Sequence, residues 1–434
     1  MVGGVPVPDS RSIRARTRPI RARTDLPSAS GRSRRLPSPS GGSRRRPRRL
    51  GHRAVLDGLR GVAVLLVIGV HVGLLHNGYV GVDVFFALSG FLITSLLYEE
   101  WEDRGQISLR GFYARRGRRL LPALTVLVTA FATLSALVET FRTTAPAGTV
   151  VGTTLLFVNN WVTTLVPAHG RALGPLSPTW SLAQEGQFYL LWPLVLWILL
   201  RRGARAPVVL GVLALSILAL LAAVPFAHHA YPSYNTYTSP FDRSAELLLG
   251  CVAAILWRER YLPSRVMRPV TAWLAAAGLA LVLAEAGPPY HPWFLIAALL
   301  AGLLIVSLLT AGDTDAARGS RFSRVAAGAA GSLSAALGSR PLRFTGQVSY
   351  GIYLYHLPIY YLLLHYVPGR SRYFYGPAVL AASLLAATAS WKLMERPIIR
   401  SGGAAPGVVA RGAHLCAAVW SALGPGRGPM TSAR

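Results

Sequence analysis

The stretch AVLDGLRGVAVLLVIGVHVGLL, Ala54–Leu75, decides the fold. It is apolar and long enough to cross a hydrocarbon core, which takes about 20 residues at helical rise. Yet it contains Asp57, Arg60 and His71. Arg60 and His71 are eleven residues apart, roughly 1100° of helical rotation, so they share one face and stand about 16 Å apart along the axis. Asp57 precedes Arg60 by three residues, the spacing of an ion pair on neighbouring ridges. An ionisable group at the centre of a membrane helix costs about 2.5–3.5 kcal/mol. The stripe therefore faces the bundle interior or a wet cavity. The choice is between a functional stripe and a structural interhelical ion pair at the helix mouth.

The rest of the chain repeats the apolar pattern. Of 434 residues, 52% are hydrophobic and 14% charged, too apolar for an ordinary soluble protein. Apolar runs lie near 54–76, 80–98, 120–140, 148–166, 185–200, 207–224, 244–257, 270–285, 292–311, 346–366 and 375–392. The net charge of +28 would suit nucleic acid, but the arginines lie in the N-terminal arm and in loops between apolar runs, so they read as topology determinants. With a cytoplasmic N-terminus, the segment Glu99–Arg119 returns inside with six arginines. If 148–166 crossed, the arginine-rich loops 201–205, 258–268 and 318–343 would all fall outside. If it is re-entrant or peripheral, those loops return inside with twelve arginines, against five in the outer loops. Thr153, Thr154, Asn159, Asn160 and Trp161 in that run are polar for a lipid-facing helix, and re-entrant backbone is tolerated where protein or a cavity surrounds it. The expected fold is an all-α polytopic membrane protein of about ten transmembrane helices plus one re-entrant or peripheral segment, with both termini cytoplasmic. Residues 1–52, with fourteen arginines before position 51, read as a disordered Arg/Ser/Pro-rich extension; 53–400 is the membrane domain, and 401–434 a flexible tail.

Seven motifs then follow in order. LDGLRGVAVLLVIGVH is joined by GYVGVDVFFALSGFLIT from Gly78, FYARRGRRLLPAL from Phe112 and WSLAQEGQFYLLWP from Trp180. RSAELLLG from Arg243, VSYGIYLYHLPI from Val348 and MERPI from Met394 complete the set. Together they resemble the membrane-bound acyltransferase family 3 over about residues 54 to 400. The resemblance implies transfer of acetyl or longer acyl groups to sugars of surface glycans or to small acceptors such as macrolides. It also implies cytoplasmic acyl-CoA as donor substrate with no bound cofactor, and a multi-pass location in a bacterial plasma membrane. One position departs: similar proteins show two adjacent acids before QFYL, and here Gly186 follows Glu185. The chain as given also lacks the extracytoplasmic hydrolase-like domain of some relatives, so a single membrane domain is expected to carry the transfer.

Acyl transfer to a hydroxyl needs a base, an anion-stabilising group and alignment. His71 is the candidate base, with Arg60 and Asp57 as the other catalytic candidates. Arg116 and Arg119, at i,i+3 spacing, are candidate donor-binding residues for phosphates, or plain positive-inside charge. Trp180, Glu185, Tyr355 and His356 are candidate acceptor-binding residues for a carbohydrate, glycolipid or macrolide-like acceptor; Tyr350, Tyr353 and Tyr355 suit a sugar or an interfacial belt equally. Glu395 reads as a cap of the last helix. No metal site, Walker loop or Gly-x-Ser-x-Gly elbow is present, and nucleic acid is not an expected partner. His52 and Asp57 fit the His-x4-Asp spacing of glycerolipid acyltransferases, but at the mouth of a spanning helix and without that fold's companion motifs, so the match reads as coincidence. The alternative from another class is a transporter or flippase using the same intramembrane charges as a substrate or proton path.

Overall fold

The computed structural model describes residues 47–165, 173–231, 234–262, 269–285, 291–311 and 331–400. The expected tail and the extension up to residue 46 lie outside the described residues. From Pro47 the chain is already part of the packed body: Leu50 is buried, its N–H donates to Glu99 Oε1 at 2.5 Å, and the Arg48 N–H donates to the Arg258 carbonyl at 3.2 Å.

The described helices are α1 (Ala54–His71), α2 (Val80–Arg104), α3 (Leu109–Leu137), α4 (Ala147–Leu155), α5 (Asn159–Leu165), α6 (Thr179–Arg201) and α7 (Ala206–Ala230). They continue as α8 (Pro240–Arg258), α9 (Pro269–Glu285), α10 (His291–Ala311), α11 (Arg340–Gln347), α12 (Ser349–Tyr366) and α13 (Arg372–Ser390). A π-helical turn, Trp391–Glu395, extends α13. There is no strand among the described residues. Among the described residues six helices are long and apolar enough to cross a membrane: Ala54–His71, Val80–Arg104, Leu109–Leu137, Ala206–Ala230, Pro292–Thr310 and Arg372–Arg400. This is a multi-pass membrane fold. Charge counting expects about ten crossings; α6, α8 and α12 reach 23, 19 and 18 residues but do not qualify by composition. Their polar residues point inward, as buried Gln184, Arg243, Glu246 and His356 show.

Helix α3 starts at Leu109, eleven residues before the apolar run. Its first turns carry Arg115, Arg116, Arg118 and Arg119, and the Ser108 hydroxyl caps it by accepting the Gly111 N–H at 3.2 Å. Helix α2 ends where Gly105 takes a left-handed φ of 65°. The run 148–166 is not one helix. It breaks into α4 and α5 of 9 and 7 residues around a turn in which Phe157 has φ 56°. Over the described residues neither piece is long enough to cross a ~30 Å core at 1.5 Å per residue.

Helix α5 is held by amides rather than apolar packing. Asn159 Nδ2 donates to Thr154 and Thr179 hydroxyls (2.8 and 2.6 Å), and Asn160 Nδ2 to Gln184 Oε1 (2.9 Å). Gln187 Nε2 donates to the Phe157 carbonyl (2.7 Å) and Asn160 Oδ1 (2.8 Å). The Asn and Thr residues that mark this run as polar thus bind it to α6. Lipid-facing surface lies elsewhere, on α7, where Leu215 and Phe226 are 69% and 77% exposed.

Helices α2 and α8 cross at close backbone approach. A Cβ on Gly90 would lie 1.9 Å from the Leu247 carbonyl oxygen, and one on Gly250 would lie 2.2 Å from that of Ala87. Small residues permit such backbone approach where lipid supplies no hydrophobic drive between helices. Gly250→Ala is therefore expected to cost about 1–3 kcal/mol by overpacking. A lowered thermal midpoint of the detergent-solubilised protein, read by intrinsic fluorescence, checks it.

Candidate active site

The end of the bundle carrying Arg115–Arg119 opens into a cavity of about 870 Å³ lined by His52, Asp57, Arg116, Arg119, Gln347 and Trp391, among others. His52, Asp57, Arg116 and Arg119 also line a second cavity of about 260 Å³, reached deeper in the bundle. That cavity shares Arg60, Glu185 and Tyr350 with a third of about 50 Å³. The three form a funnel narrowing from a basic mouth toward the middle of α1.

Arg60 lies where the funnel narrows. It makes no ion pair among the described residues, and its Nε is buried without a hydrogen-bond partner. The expected pair with Asp57 is not formed. Asp57 lies in the first turn of α1, and the chain just before the helix brings His52 Nε2 to 3.1 Å from Asp57 Oδ2. The His-x4-Asp spacing therefore does join its two residues, at the funnel mouth. Glu185 faces the same cavities as Arg60 but is held by its neighbours: Ser89 Oγ donates to Oε1 at 2.6 Å and the Tyr189 hydroxyl to Oε2 at 3.0 Å. The Arg116 guanidinium lies over the Phe112 and Tyr189 rings, 5.6 and 5.5 Å from their centroids, which fixes a cation without neutralising it. Arg60, Arg116 and Arg119 thus gather at one funnel, as α1 and α3 converge.

At the other end of α1, His71 meets His356 of α12, with ring centroids 4.8 Å apart and an edge-to-face angle of 71°. His71 Nδ1 lies 2.8 Å from the Val67 carbonyl, and His356 Nδ1 2.7 Å from that of Tyr353. A carbonyl only accepts, so each Nδ1 donates and each neutral ring keeps its lone pair on Nε2. His356 is fully buried, and its Nε2 has no partner. Tyr353 joins the two regions. It lines the 50 Å³ cavity, and its ring centroid is 5.8 Å from that of His356. Its hydroxyl donates to the Pro178 carbonyl at 3.0 Å and lies 2.5 Å from Ser181 Oγ.

Two expected acceptor residues lie elsewhere. Trp180 is 5% exposed, its ring 5.4 Å from the Arg243 guanidinium. Tyr355 is 7% exposed and turned from His356, its hydroxyl donating to Ser390 Oγ at 3.0 Å. Ser390 in turn donates to Glu395 Oε1 at 2.9 Å across the π-helical turn, which seats that carboxylate inside the bundle. Neither Trp180 nor Tyr355 lines the funnel. Among the described residues no group of three His, Cys, Asp or Glu could hold a metal ion.

The model of the acyltransferase domain family, acyltransferase 3, matches residues 53–392. The chain belongs to acyltransferase family 3. Similar family members include the peptidoglycan O-acetyltransferase OatA of Listeria monocytogenes, 32% identical over 80% of this chain and 56% of the relative. The putative peptidoglycan O-acetyltransferase YrhL of Bacillus subtilis is 31% identical over 81% of this chain and 56% of its own length. The O-acetyltransferase OatA of Staphylococcus aureus is 29% identical over 80% and 57%. The chain spans just over half the length of these curated relatives. No solved structure matches.

Gly186, where the resemblance leads one to expect a second acid, is closely covered. A Cβ there would lie 2.5 Å from Cδ1 of Phe157, whose ring occupies the space a second acid would need. The left-handed Phe157 backbone at the α4–α5 turn sets that ring in place. Ser89, Tyr189 and Ser349 line the candidate site without being singled out by the sequence. Their hydroxyls carry no signal until α2, α6 and α12 are brought together.

Proposed function

We propose that this acyltransferase family 3 chain is an integral membrane O-acyltransferase that moves an acetyl group from cytoplasmic acyl-CoA to a carbohydrate hydroxyl. The observation that carries the reading is the unpartnered Arg60 guanidinium at the narrowing of an arginine-lined funnel, on the same helix as His71, whose lone-pair-bearing imidazole meets that of His356 on α12. The basic mouth is the cytoplasmic side by the positive-inside rule. Both termini lie there, the chain crosses about ten times, and α4–α5 is the re-entrant element. Arg116 and Arg119 take the donor's phosphates, and the thiol arm runs through the narrow cavity toward His71, about 16 Å along α1 from Arg60.

At the imidazole pair, His71 Nε2 accepts the proton of the acceptor hydroxyl as its oxygen attacks the thioester carbonyl. The C–O bond forms, the C–S bond breaks, and coenzyme A leaves as a thiolate that recovers the proton. His356 Nε2 accepts a hydrogen bond from a second acceptor hydroxyl, which suits a polyol. The names of the relatives favour a peptidoglycan-type glycan; glycolipids and macrolide-like glycosides share its hydroxyl chemistry.

Purified protein given acetyl-CoA and peptidoglycan oligosaccharides is expected to release free coenzyme A and to raise the acceptor mass by one acetyl unit, read by mass spectrometry. Glycan movement across vesicles with no need of an acyl donor would instead establish a transporter.

A further inference from the structure

The narrowest cavity of the funnel holds two unanswered donors. Ser349, first residue of α12, is fully buried, and its hydroxyl has no hydrogen-bond partner. Arg60 Nε is likewise buried and unpartnered. Both residues line the cavity of about 50 Å³, where Val82, Phe85, Phe86 and Leu182 supply apolar wall and the polar Ser181, Glu185 and Tyr353 already bond to other protein groups. Leaving a buried donor unsatisfied costs about 1–3 kcal/mol, so two such donors on residues that line one void favour an acceptor atom entering between those residues. The void is small: one water claims about 30 Å³ of liquid, and a cavity that holds benzene is about 150 Å³. A sugar ring does not fit. A linear chain carrying a carbonyl oxygen does.

We infer that Ser349 and Arg60 together bind a carbonyl oxygen of the acyl donor's thiol arm, making Ser349 a donor-positioning residue. The inference rests on the acyl-donor reading above. Such an arm offers two kinds of carbonyl, its amides and the thioester itself, and both accept from the same pair. The apolar walls hold the methylenes between them. Because the void excludes rings, the neck passes the thioester arm while keeping the donor's nucleotide at the basic mouth.

The test uses the full chain in nanodiscs and measures the Kd of free coenzyme A and of acetyl-CoA by calorimetry. For Ser349→Ala, loss of one hydrogen bond is expected to raise Kd about 3- to 10-fold. Equal weakening of both ligands assigns an amide carbonyl; weakening of acetyl-CoA alone assigns the thioester. The same variant is expected to melt at or above the wild-type midpoint, because an unpaired buried hydroxyl has been removed. A merely structural serine would lower the midpoint and binding together. Binding of both ligands within twofold of wild type, or a loss that tracks a fallen midpoint, overturns the inference. Wild-type protein that binds neither ligand overturns the acyl-donor reading and this inference with it.

Discussion

His71→Ala is expected to lower acyl transfer by about 10²–10⁴-fold, the range assigned to a positioned general base. The fall should appear in kcat, with KM for acyl-CoA little changed, because the phosphates are held at the far end of α1. Folding should survive. His71 is only half-buried, and its one hydrogen bond runs to the Val67 carbonyl of its own helix. His71→Gln sharpens the test: the amide can still donate to Val67 but supplies no basic nitrogen. Equal loss in both variants identifies the lone pair as the missing element. Transfer by His71→Gln within threefold of wild type would remove His71 from the reaction and leave Arg60 and the funnel as donor site only.

That prediction depends on a stripe legible in the sequence alone, because helical rotation depends only on the spacing of Arg60 and His71. The helix interior, the arginine mouth and the irregular 148–166 run are legible for similar reasons. Local pairing is less so. Asp57 reads as the partner of Arg60 on spacing alone, yet it sits in the first turn, where the preceding segment delivers His52. The i,i+3 spacing of Arg116 and Arg119 marks a helix start ahead of the apolar run, but not its bound at Leu109, because those early turns are arginine-rich and carry no apolar signal. Trp180 opens a helix as an interfacial aromatic would, but its burial depends on Arg243, 63 positions away in the sequence. Ser349 could not be singled out at all. A serine without a partner is visible only when every neighbour is in place.

Arg243→Ala is expected to be the most damaging single substitution for stability. The guanidinium and its two carboxylate partners are fully buried: Nη2 lies 2.6 Å from Asp83 Oδ1, and Nη1 3.1 Å from Glu246 Oε1. The Phe294 ring centroid is 3.8 Å from the guanidinium carbon, and Trp180, Tyr237 and Phe86 close round it at 5.4, 5.4 and 5.5 Å. Removing the cation leaves two acids in an apolar box, and breaking a buried pair in this way costs about 3–5 kcal/mol. Lost cation–π contacts add to it. The variant should elute from size exclusion as aggregate or melt far below wild type. Replacing all three charges, as Arg243→Met with Asp83→Leu and Glu246→Leu, should recover much of the loss, since no unpaired charge remains. The cluster joins the starts of α2 and α8, and α2 carries Phe85, Phe86 and Ser89 into the funnel. The triple variant therefore separates two roles. Refolded protein with normal transfer makes the cluster a structural pin, whereas refolded protein without transfer shows that the charges also hold the funnel wall in register. An Arg243→Ala protein that melts within a few degrees of wild type would contradict the buried-pair assignment outright.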